Sequence, residues 1–204
     1  MASDAVVHLI DDDDAVRQAV AFLLTTMGFA VRVYPSAVVF LDALPSIQPG
    51  CIVTDVRMPE MDGLALQREL KARGIGLPVI VITGHADVPL AVEAMKAGAV
   101  DFIEKPFDDE TLWTAIKAAI DRHARDCRRE DEVAAIKTKL DSLSPREREV
   151  LEGLIAGLPN KTIAYDLKIS ARTVEVHRAN LMTRMGARSV ADLVRMVFVV
   201  RSPV

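Results

Sequence analysis

The sequence contains few cysteines, no basic leader and no long uncharged apolar run. Its two cysteines, Cys51 and Cys127, show no motif spacing, which argues against a disulfide framework or a zinc site and is typical of a reducing compartment. No uncharged apolar segment reaches the roughly 18–20 residues that would span a membrane. No basic region precedes the first apolar stretch, as it would in a signal peptide. We therefore expect a soluble, cytoplasmic protein that does not contact a membrane.

Charge is distributed unevenly along the chain. Residues 1–126 contain 11 Lys and Arg against 19 Asp and Glu, a net charge of −8. Residues 127–204 contain 14 against 10, a net charge of +4. An acidic half joined to a basic half predicts two domains with different partners, and the basic half is the candidate for binding nucleic acid.

The first half alternates short apolar runs with helical patterns. Five runs rich in β-branched residues occupy residues 6–10, 30–34, 51–55, 78–83 and 100–104. Such runs are typical of strands buried on both faces, and the segments between them have apolar residues three and four positions apart. Five strands alternating with helices predict right-handed crossovers. We therefore predict an α/β fold, a doubly wound (βα)5 domain with a parallel five-stranded sheet.

Polar residues follow the carboxyl ends of four of these strands. In the stretch LIDDDDAVR, Asp11 and Asp12 come directly after the first strand. Asp55 closes the third strand, Thr83 closes the fourth, and Lys105 follows the fifth. Ligands of open α/β sheets bind outside the carboxyl ends of the strands. The sequence therefore predicts one crevice with three carboxylates, a hydroxyl and an ammonium group.

These residue types predict a magnesium-dependent phosphoryl site. Carboxylate oxygens with open water positions suit Mg²⁺, which would hold a phosphate against Asp55, the candidate nucleophile. Thr83 and Lys105 would contact the phosphoryl oxygens. Asp13 and Asp14 instead open the next helix, where their charges complement its N-terminal dipole.

The stretches IDDDDAVR, VTDVRMPEMDG and VITGHADVPLAVEAMKAGAVDFIEKPF resemble the receiver domain of response regulators. The resemblance implies that Asp55 accepts the phosphoryl group. It also implies that Asp11, Asp12 and Asp55 bind Mg²⁺ together with the backbone carbonyl of Arg57. Apart from Mg²⁺-dependent self-phosphorylation and dephosphorylation at Asp55, it implies no enzymatic activity.

The same resemblance implies a conformational switch. Thr83 and Phe102 would form the switch pair, Lys105 would sense the phosphate, and the Lys105–Pro106 peptide bond would be cis. The family often carries tyrosine at the aromatic position. Because Phe102 has no hydroxyl, any role of this residue must come through packing.

A second enzyme class fits part of the acidic run. Residues 12–16, DDDAV, match the nucleophile motif of haloacid-dehalogenase-like phosphatases. The distal acids of that family should follow an apolar strand, whereas Asp108 and Asp109 follow KPF at a predicted helix start. A phosphatase also leaves Asp55 unexplained, so the receiver interpretation is preferred.

The second half is helical. Residues 107–144 contain no Gly or Pro, which predicts one long helix or two nearly joined helices, although the polar middle also fits an unstructured tether. Ser144 before Pro145, with Glu147 at capping-box spacing, predicts the start of another helix. Two further helices with a turn at 168–170 predict a helix-turn-helix, although a generic helical bundle has a similar pattern.

The stretches SPREREVLEGLIAGLPNKTIA and SARTVEVHRANLMTRM resemble the LuxR/NarL-type DNA-binding domain. Both halves together are similar to FixJ-type response regulators. We therefore predict a receiver domain over residues 1–123, a helical linker over 124–141 and a four-helix LuxR-type helix-turn-helix domain over 142–204.

The resemblance implies a transcription factor activated by phosphorylation. Its partners would be a sensor histidine kinase, which in this family is a haem-based oxygen sensor, together with promoter DNA and RNA polymerase. Phosphorylation would produce a homodimer. The target genes would be those of nitrogen fixation or related oxygen-responsive genes, or alternatively those of another pathway such as aromatic catabolism. A phosphorylated interaction module that does not bind DNA is a further alternative.

One stripe of the third helix of the second half is the candidate DNA reader. Glu175, Val176 and Ala179 share a face that resembles the base-facing positions of the family. Glu175 can accept a hydrogen bond from a cytosine amine, and the two apolar side chains can touch a thymine methyl group. Alternatively, Val176 is a core residue and Glu175 a solvated charge. The predicted phosphate contacts are Asn160, Lys161, Arg172, Thr173, His177 and Arg178.

Overall fold

The computed structural model describes residues 5–84 and 87–201. These residues form two compact units that divide between Arg125 and Asp126, called here the first and the second unit. Within the described ranges, no helix is long and apolar enough to cross a membrane.

The first unit contains a five-stranded parallel sheet with the strand order β2-β1-β3-β4-β5. Its strands agree with the predicted runs to within one residue, and the doubly wound parallel architecture is confirmed. Because β1 lies between β2 and β3, the strand order reverses there, which opens a crevice at the carboxyl ends of β1 and β3. The strands are β1 Val6–Ile10, β2 Ala30–Tyr34, β3 Gly50–Asp55, β4 Val79–Thr83 and β5 Asp101–Glu104.

Helices cover both faces of the sheet. Residues of α1 and α5 pack in one apolar layer, represented by Leu24 and Ile116, and residues of α2, α3 and α4 pack in the other. Alternate residues of β3 enter the two layers, Cys51 one and Ile52 the other. Burial raises the pKa of the Cys51 thiol to about 12, so this residue stays a neutral core side chain. The helices are α1 Asp14–Thr26, α2 Ala37–Ala43, α3 Gly63–Ala72, α4 Val88–Ala97 and α5 Asp109–Asp141.

The segment between the two predicted domains is one helix. Helix α5 contains 33 residues without interruption, so the unstructured tether considered above is wrong. Near its start, Leu112 and Ile116 pack in the core of the first unit. Near its end, Ile136 belongs to the core of the second unit.

The second unit is helical, as predicted, and four helices follow α5 in the part of it that the structure describes, up to residue 201. A capping box starts the first of them, since Ser144 and Glu147 each bond the backbone N–H of the other. Lys168, in the left-handed conformation, ends the second, and the Ser170 side chain caps the third. This pair of helices has the predicted turn between its members. The four helices are α6 Pro145–Ile155, α7 Asn160–Leu167, α8 Ala171–Met185 and α9 Val190–Arg201.

A fully buried histidine lies on β1. The carbonyl oxygen of Gln48 lies 2.9 Å from His8 Nε2, and the Tyr34 hydroxyl lies 3.3 Å from Nδ1. Because a carbonyl only accepts hydrogen bonds, we assign the ring proton to Nε2, which leaves Nδ1 to accept from Tyr34. Burial lowers the pKa of His8, and the nearby charge of Arg32 adds to this, while the bond to Gln48 opposes it. His8 is therefore held in its neutral form.

The buried His8 predicts a loss of stability in mild acid. The unfolded chain binds the histidine proton near pH 6.5, whereas the folded chain binds it only at a lower pH. Proton binding therefore stabilises the unfolded state relative to the folded state as the pH falls below about 6.5. We expect the free energy of unfolding of the first unit to decrease between pH 7.5 and 5.5, and His8→Leu to flatten that slope. Urea unfolding followed by the fluorescence of Trp113, the only tryptophan, measures it. An unchanged slope in the variant would contradict the prediction.

Candidate functional site

An ammonium group bridges two buried carboxylates at the carboxyl edge of the sheet. Asp11 follows β1 and Asp55 ends β3, and both residues are buried. Lys105 Nζ donates to Asp11 Oδ2 at 2.8 Å and to Asp55 Oδ1 at 2.9 Å. The parallel sheet therefore brings three of the predicted site residues, distant in sequence, into direct contact.

Backbone amides hold the other oxygen of each carboxylate. Asp13 N donates to Asp11 Oδ1 at 3.0 Å, and Arg57 N donates to Asp55 Oδ2 at 2.7 Å. Both carboxylates are thus fixed in orientation, and Lys105 neutralises one of their two negative charges. Arg57 lies beside Asp55 as expected, but it contacts this residue through its backbone amide, so metal binding by its carbonyl stays a prediction.

The second half of the acidic run, Asp13 and Asp14, starts α1, as expected. Asp13 caps α1 by accepting from Ala15 N and Val16 N at 2.8 and 3.1 Å, and these bonds lower the pKa of its carboxyl. Asp14 is the first helical residue and pairs with Arg17. The N-terminal charge of the helix is therefore met by two of the four acids.

Asp12 does not join the two carboxylates around Lys105. It is exposed, and within residues 5–84 and 87–201 no three His, Cys, Asp or Glu side chains form a preformed metal cluster. The donor set nevertheless fits Mg²⁺ chemically, since Asp11, Asp12 and Asp55 offer only carboxylate oxygens and the pocket already favours a cation. Mg²⁺ binding by Asp12 stays a prediction.

Thr83 and Phe102 lie on neighbouring strands. The register pairs Val81 with Phe102 and Thr83 with Glu104, so the side chains of Thr83 and Phe102 leave the same face of the sheet. Thr83 is buried, and Phe102 is partly buried against the layer that contains α3 and α4. Lys105 N donates to the Thr83 carbonyl at 2.7 Å, which links the two strands at the pocket, and the Lys105–Pro106 bond is cis, as expected.

The pocket stabilises the charged form of Lys105. Burial of its ammonium works against protonation, but the hydrogen bonds and charges of Asp11 and Asp55 outweigh burial and raise the pKa of Lys105. The lysine therefore stays cationic and remains available to meet a further anionic group at Asp55.

Two residues of the pocket were missed in the sequence. Arg17 Nη1 donates to the backbone carbonyl of Asp11 at 2.6 Å, and its side chain is only 12% exposed. This hydrogen bond fixes the backbone of the acidic loop. A Cβ at Gly63 would collide with the carbonyl oxygen of Asp55, so only glycine lets α3 start this close to the pocket. Gly63 follows Asp62 in the stretch MDG. A glycine at the start of a helix is the sequence signal that could have indicated this close approach to the Asp55 carbonyl.

The helix-turn-helix presents the predicted reading stripe to solvent. Glu175, Val176 and Ala179 are all exposed, and Val176 is 54% exposed, so the alternative of Val176 as a core residue is wrong. Lys161 and Arg172 are also exposed. No side chain caps the start of α7.

The other predicted phosphate contacts are half-buried and partly engaged within the unit. Asn160 Oδ1 lies 3.4 Å from Arg178 Nη1, a long contact that joins α7 to α8. Thr173 Oγ1 lies 2.8 Å from Ser170 Oγ at the start of α8. His177 on α8 is also half-buried.

Comparison with known proteins covers both units. A family model for the response regulator receiver domain matches residues 7–117, and one for the luxR family of bacterial regulatory proteins matches residues 141–197. The transcriptional regulatory protein FixJ of Azorhizobium caulinodans is 58% identical over 96% of this chain and 93% of its own. The response regulator StyR has a similar structure, with a TM-score of 0.85 and 40% identity over 96% of this chain and 98% of its own. The crystal structure of full-length FixJ from B. japonicum is also similar, with a TM-score of 0.63 and 49% identity over 98% of this chain and 98% of its own.

The position of Lys105 predicts how the pocket responds to Mg²⁺. Lys105→Met leaves Asp11 and Asp55 as unscreened neighbours. Without Mg²⁺ we expect the first unit to lose about 2 kcal/mol of stability, less than a fully buried pair would lose because the lysine is 21% exposed. Millimolar Mg²⁺ should then stabilise the variant more than the wild type, measured by urea unfolding. Lys71→Met, at the exposed end of α3, is the control, and equal Mg²⁺ responses in both variants would disprove the bridging role.

Proposed function

This chain belongs to the response regulators that join a receiver domain to a LuxR-type DNA-binding domain, and we propose that it is a FixJ-like transcription factor switched by phosphorylation of Asp55. The observation that carries the proposal is the Lys105 ammonium held between Asp11 and Asp55, in one chain with an exposed helix-turn-helix. A histidine kinase is the partner that a receiver domain implies.

In this proposal Asp55 is the nucleophile of phosphoryl transfer. Its carboxylate oxygen forms the new bond to phosphorus while the bond to the phosphohistidine nitrogen of the kinase breaks. Lys105 and Thr83 meet the transferred oxygens. Mg²⁺, held by Asp11, Asp12, Asp55 and the carbonyl of Arg57, would neutralise charge on the phosphoryl group.

The switch follows from the added charge. Phosphorylation adds about −1.5 to −2 charges and three strong hydrogen-bond acceptors, which draw Lys105 and Thr83 towards Asp55. Phe102 then packs inward behind Thr83. We propose that the face formed by residues 88–120 changes with it and dimerises. Three exposed apolar side chains at i, i+4 and i+7 of α4 support this surface: Val88, Val92 and Met95, at 77%, 45% and 50% exposure.

In the proposed dimer each α8 enters the major groove of one DNA half-site. We propose that the promoters are those of nitrogen fixation or related oxygen-responsive genes, that RNA polymerase is recruited there, and that the kinase is a haem-based oxygen sensor. The 58% identity with a FixJ protein supports this choice over other FixJ-like pathways.

The phosphatase alternative has less support. Asp108 accepts from Thr111 N at 2.7 Å and from its hydroxyl at 2.8 Å. This acid therefore starts α5 rather than completing a catalytic group, as an N-terminal cap does.

Asp55→Asn should abolish phosphorylation, because an amide is not a nucleophile. With acetyl phosphate and Mg²⁺, intact-mass spectrometry should show one added phosphoryl group on the wild type and none on the variant. Light scattering and footprinting of promoter DNA should show dimer formation and protection that depend on the donor only in the wild type. Asp42→Asn, an exposed acid on α2, is the matched control. Normal labelling of the Asp55→Asn protein would refute the site.

Two variants separate base reading from phosphate binding. Lys161→Ala should weaken binding to all duplexes and lower the salt slope by about one phosphate contact. Glu175→Ala should relax preference at one base pair, by about 1–3 kcal/mol, without that loss of slope. Fluorescence anisotropy on single-base variants of a selected duplex measures both effects. If Glu175→Ala leaves every ratio between duplexes unchanged, Glu175 does not read a base.

A further inference from the structure

The C-terminal end of α8 is tied to the end of α5. Lys139 Nζ donates to the Met185 carbonyl at 3.1 Å, and Arg184 Nη1 donates to the Ser142 carbonyl at 3.0 Å. These bonds join residues 46 and 42 positions apart in the sequence. They satisfy one carbonyl at the end of each helix, where intrahelical partners run out.

A buried carboxylate extends this connection to α6. Glu147 is 3% exposed, and its Oε2 accepts from Ser144 N at 2.8 Å while its Oε1 lies 3.3 Å from Arg184 Nε. The bond from Ser144 and the charges of Arg184 and His177 lower the pKa of Glu147. Glu147 is therefore ionised at neutral pH, and a charge so buried requires its partners.

Apolar packing accompanies the polar contacts. Ile136 on α5 and Leu143 after it are each 5% exposed, in the same core as Leu181 and Met185 of α8. The last turns of α5 therefore contribute to the core that supports α8. Lys139 lies outside residues 141–197, the part that matches the luxR family.

We infer that Lys139, Arg184 and Glu147 form a clamp that positions α8 for base reading, so that the end of α5 is a working part of the DNA reader. The inference rests on the proposed function, in which α8 enters the major groove. Met185 lies ten residues beyond Glu175, about 15 Å along the helix. A tilt of a few degrees at the clamped end therefore moves the reading side chains by on the order of 1 Å, enough to misalign contacts with base edges. Lys139 is a positioning residue, because its ammonium is held on a protein carbonyl.

The test compares two lysines of one helix in the full-length phosphorylated chain. Lys139→Met removes the clamp, and Lys137→Met removes the same charge at an exposed site two residues earlier. Anisotropy measures binding to two labelled probes: the duplex that the wild type selects from a randomised pool, and a scrambled duplex of equal composition. Lys139→Met should lower the ratio of the two affinities about fivefold, the loss of one hydrogen bond, with no more change in the salt slope than Lys137→Met causes.

Further variants separate positioning from folding. Lys139→Arg keeps a cationic donor and should restore the ratio. Arg184→Lys keeps the charge but loses the geometry of the guanidinium, and should lower the ratio. Partial unfolding, checked by circular dichroism, would weaken both probes equally and leave the ratio unchanged.

Each remaining outcome decides the inference. An unchanged ratio in both Lys139→Met and Arg184→Lys, or an equal fall in Lys137→Met, overturns it. A loss of about one unit of salt slope in Lys139→Met alone, with the ratio intact, shows a phosphate contact and also overturns it. A wild type that selects no duplex would instead overturn the proposed function.

Discussion

Two carboxylates at one edge of a parallel sheet repel each other, and the ammonium of Lys105 makes this edge stable. It lies 2.8 Å from Asp11 Oδ2 and 2.9 Å from Asp55 Oδ1, and its own backbone bonds the carbonyl of Thr83. Any negative charge added to Asp55 therefore acts on a residue that contacts the ends of β1, β3 and β4 and directly follows β5. In the proposed function, this is how phosphorylation of Asp55 would alter the face of the unit that contains α4.

The two units solve the same electrostatic problem in different ways. In the first, one partly buried ammonium group bridges two acids at strand ends and neutralises one of their two charges. In the second, Glu147 is fixed by a backbone amide and by Arg184, so its charge holds helices together. Buried ions are costly unless paired, which makes the first arrangement suited to a switch and the second to a scaffold.

Local pattern predicted most of the fold but few of its long-range contacts. The strands were predictable because β-branched runs and their flanking breakers are local signals, and strand ends then placed Asp11, Asp55 and Lys105 at one edge. The sequence did not decide whether residues 107–144 form one helix, because their polar middle has no apolar face and therefore shows no helical periodicity. Arg17 and Lys139 were missed, since bonds from a side chain to a backbone carbonyl, at the latter across 46 residues, leave no periodicity. Asp12 was expected in the pocket from its place directly after the first strand and from the family resemblance, but it is exposed, and its part in metal binding stays a prediction.

The arrangement of exposed apolar side chains, rather than their exposure alone, indicates which surfaces bind a partner. Single exposed apolar residues are common in soluble proteins and need no partner. Val88, Val92 and Met95 form a continuous stripe on α4, and Val176 stands beside Glu175 on a helix whose exposed residues are otherwise mostly polar. The α4 stripe can be buried by a second copy of the same face, whereas Val176, one helical turn from the exposed Arg172 on α8, suits a polyanion with methyl groups in its groove. In the proposed dimer on DNA both surfaces are therefore covered, the α4 stripe by the second copy of the chain and the surface around Val176 by the duplex.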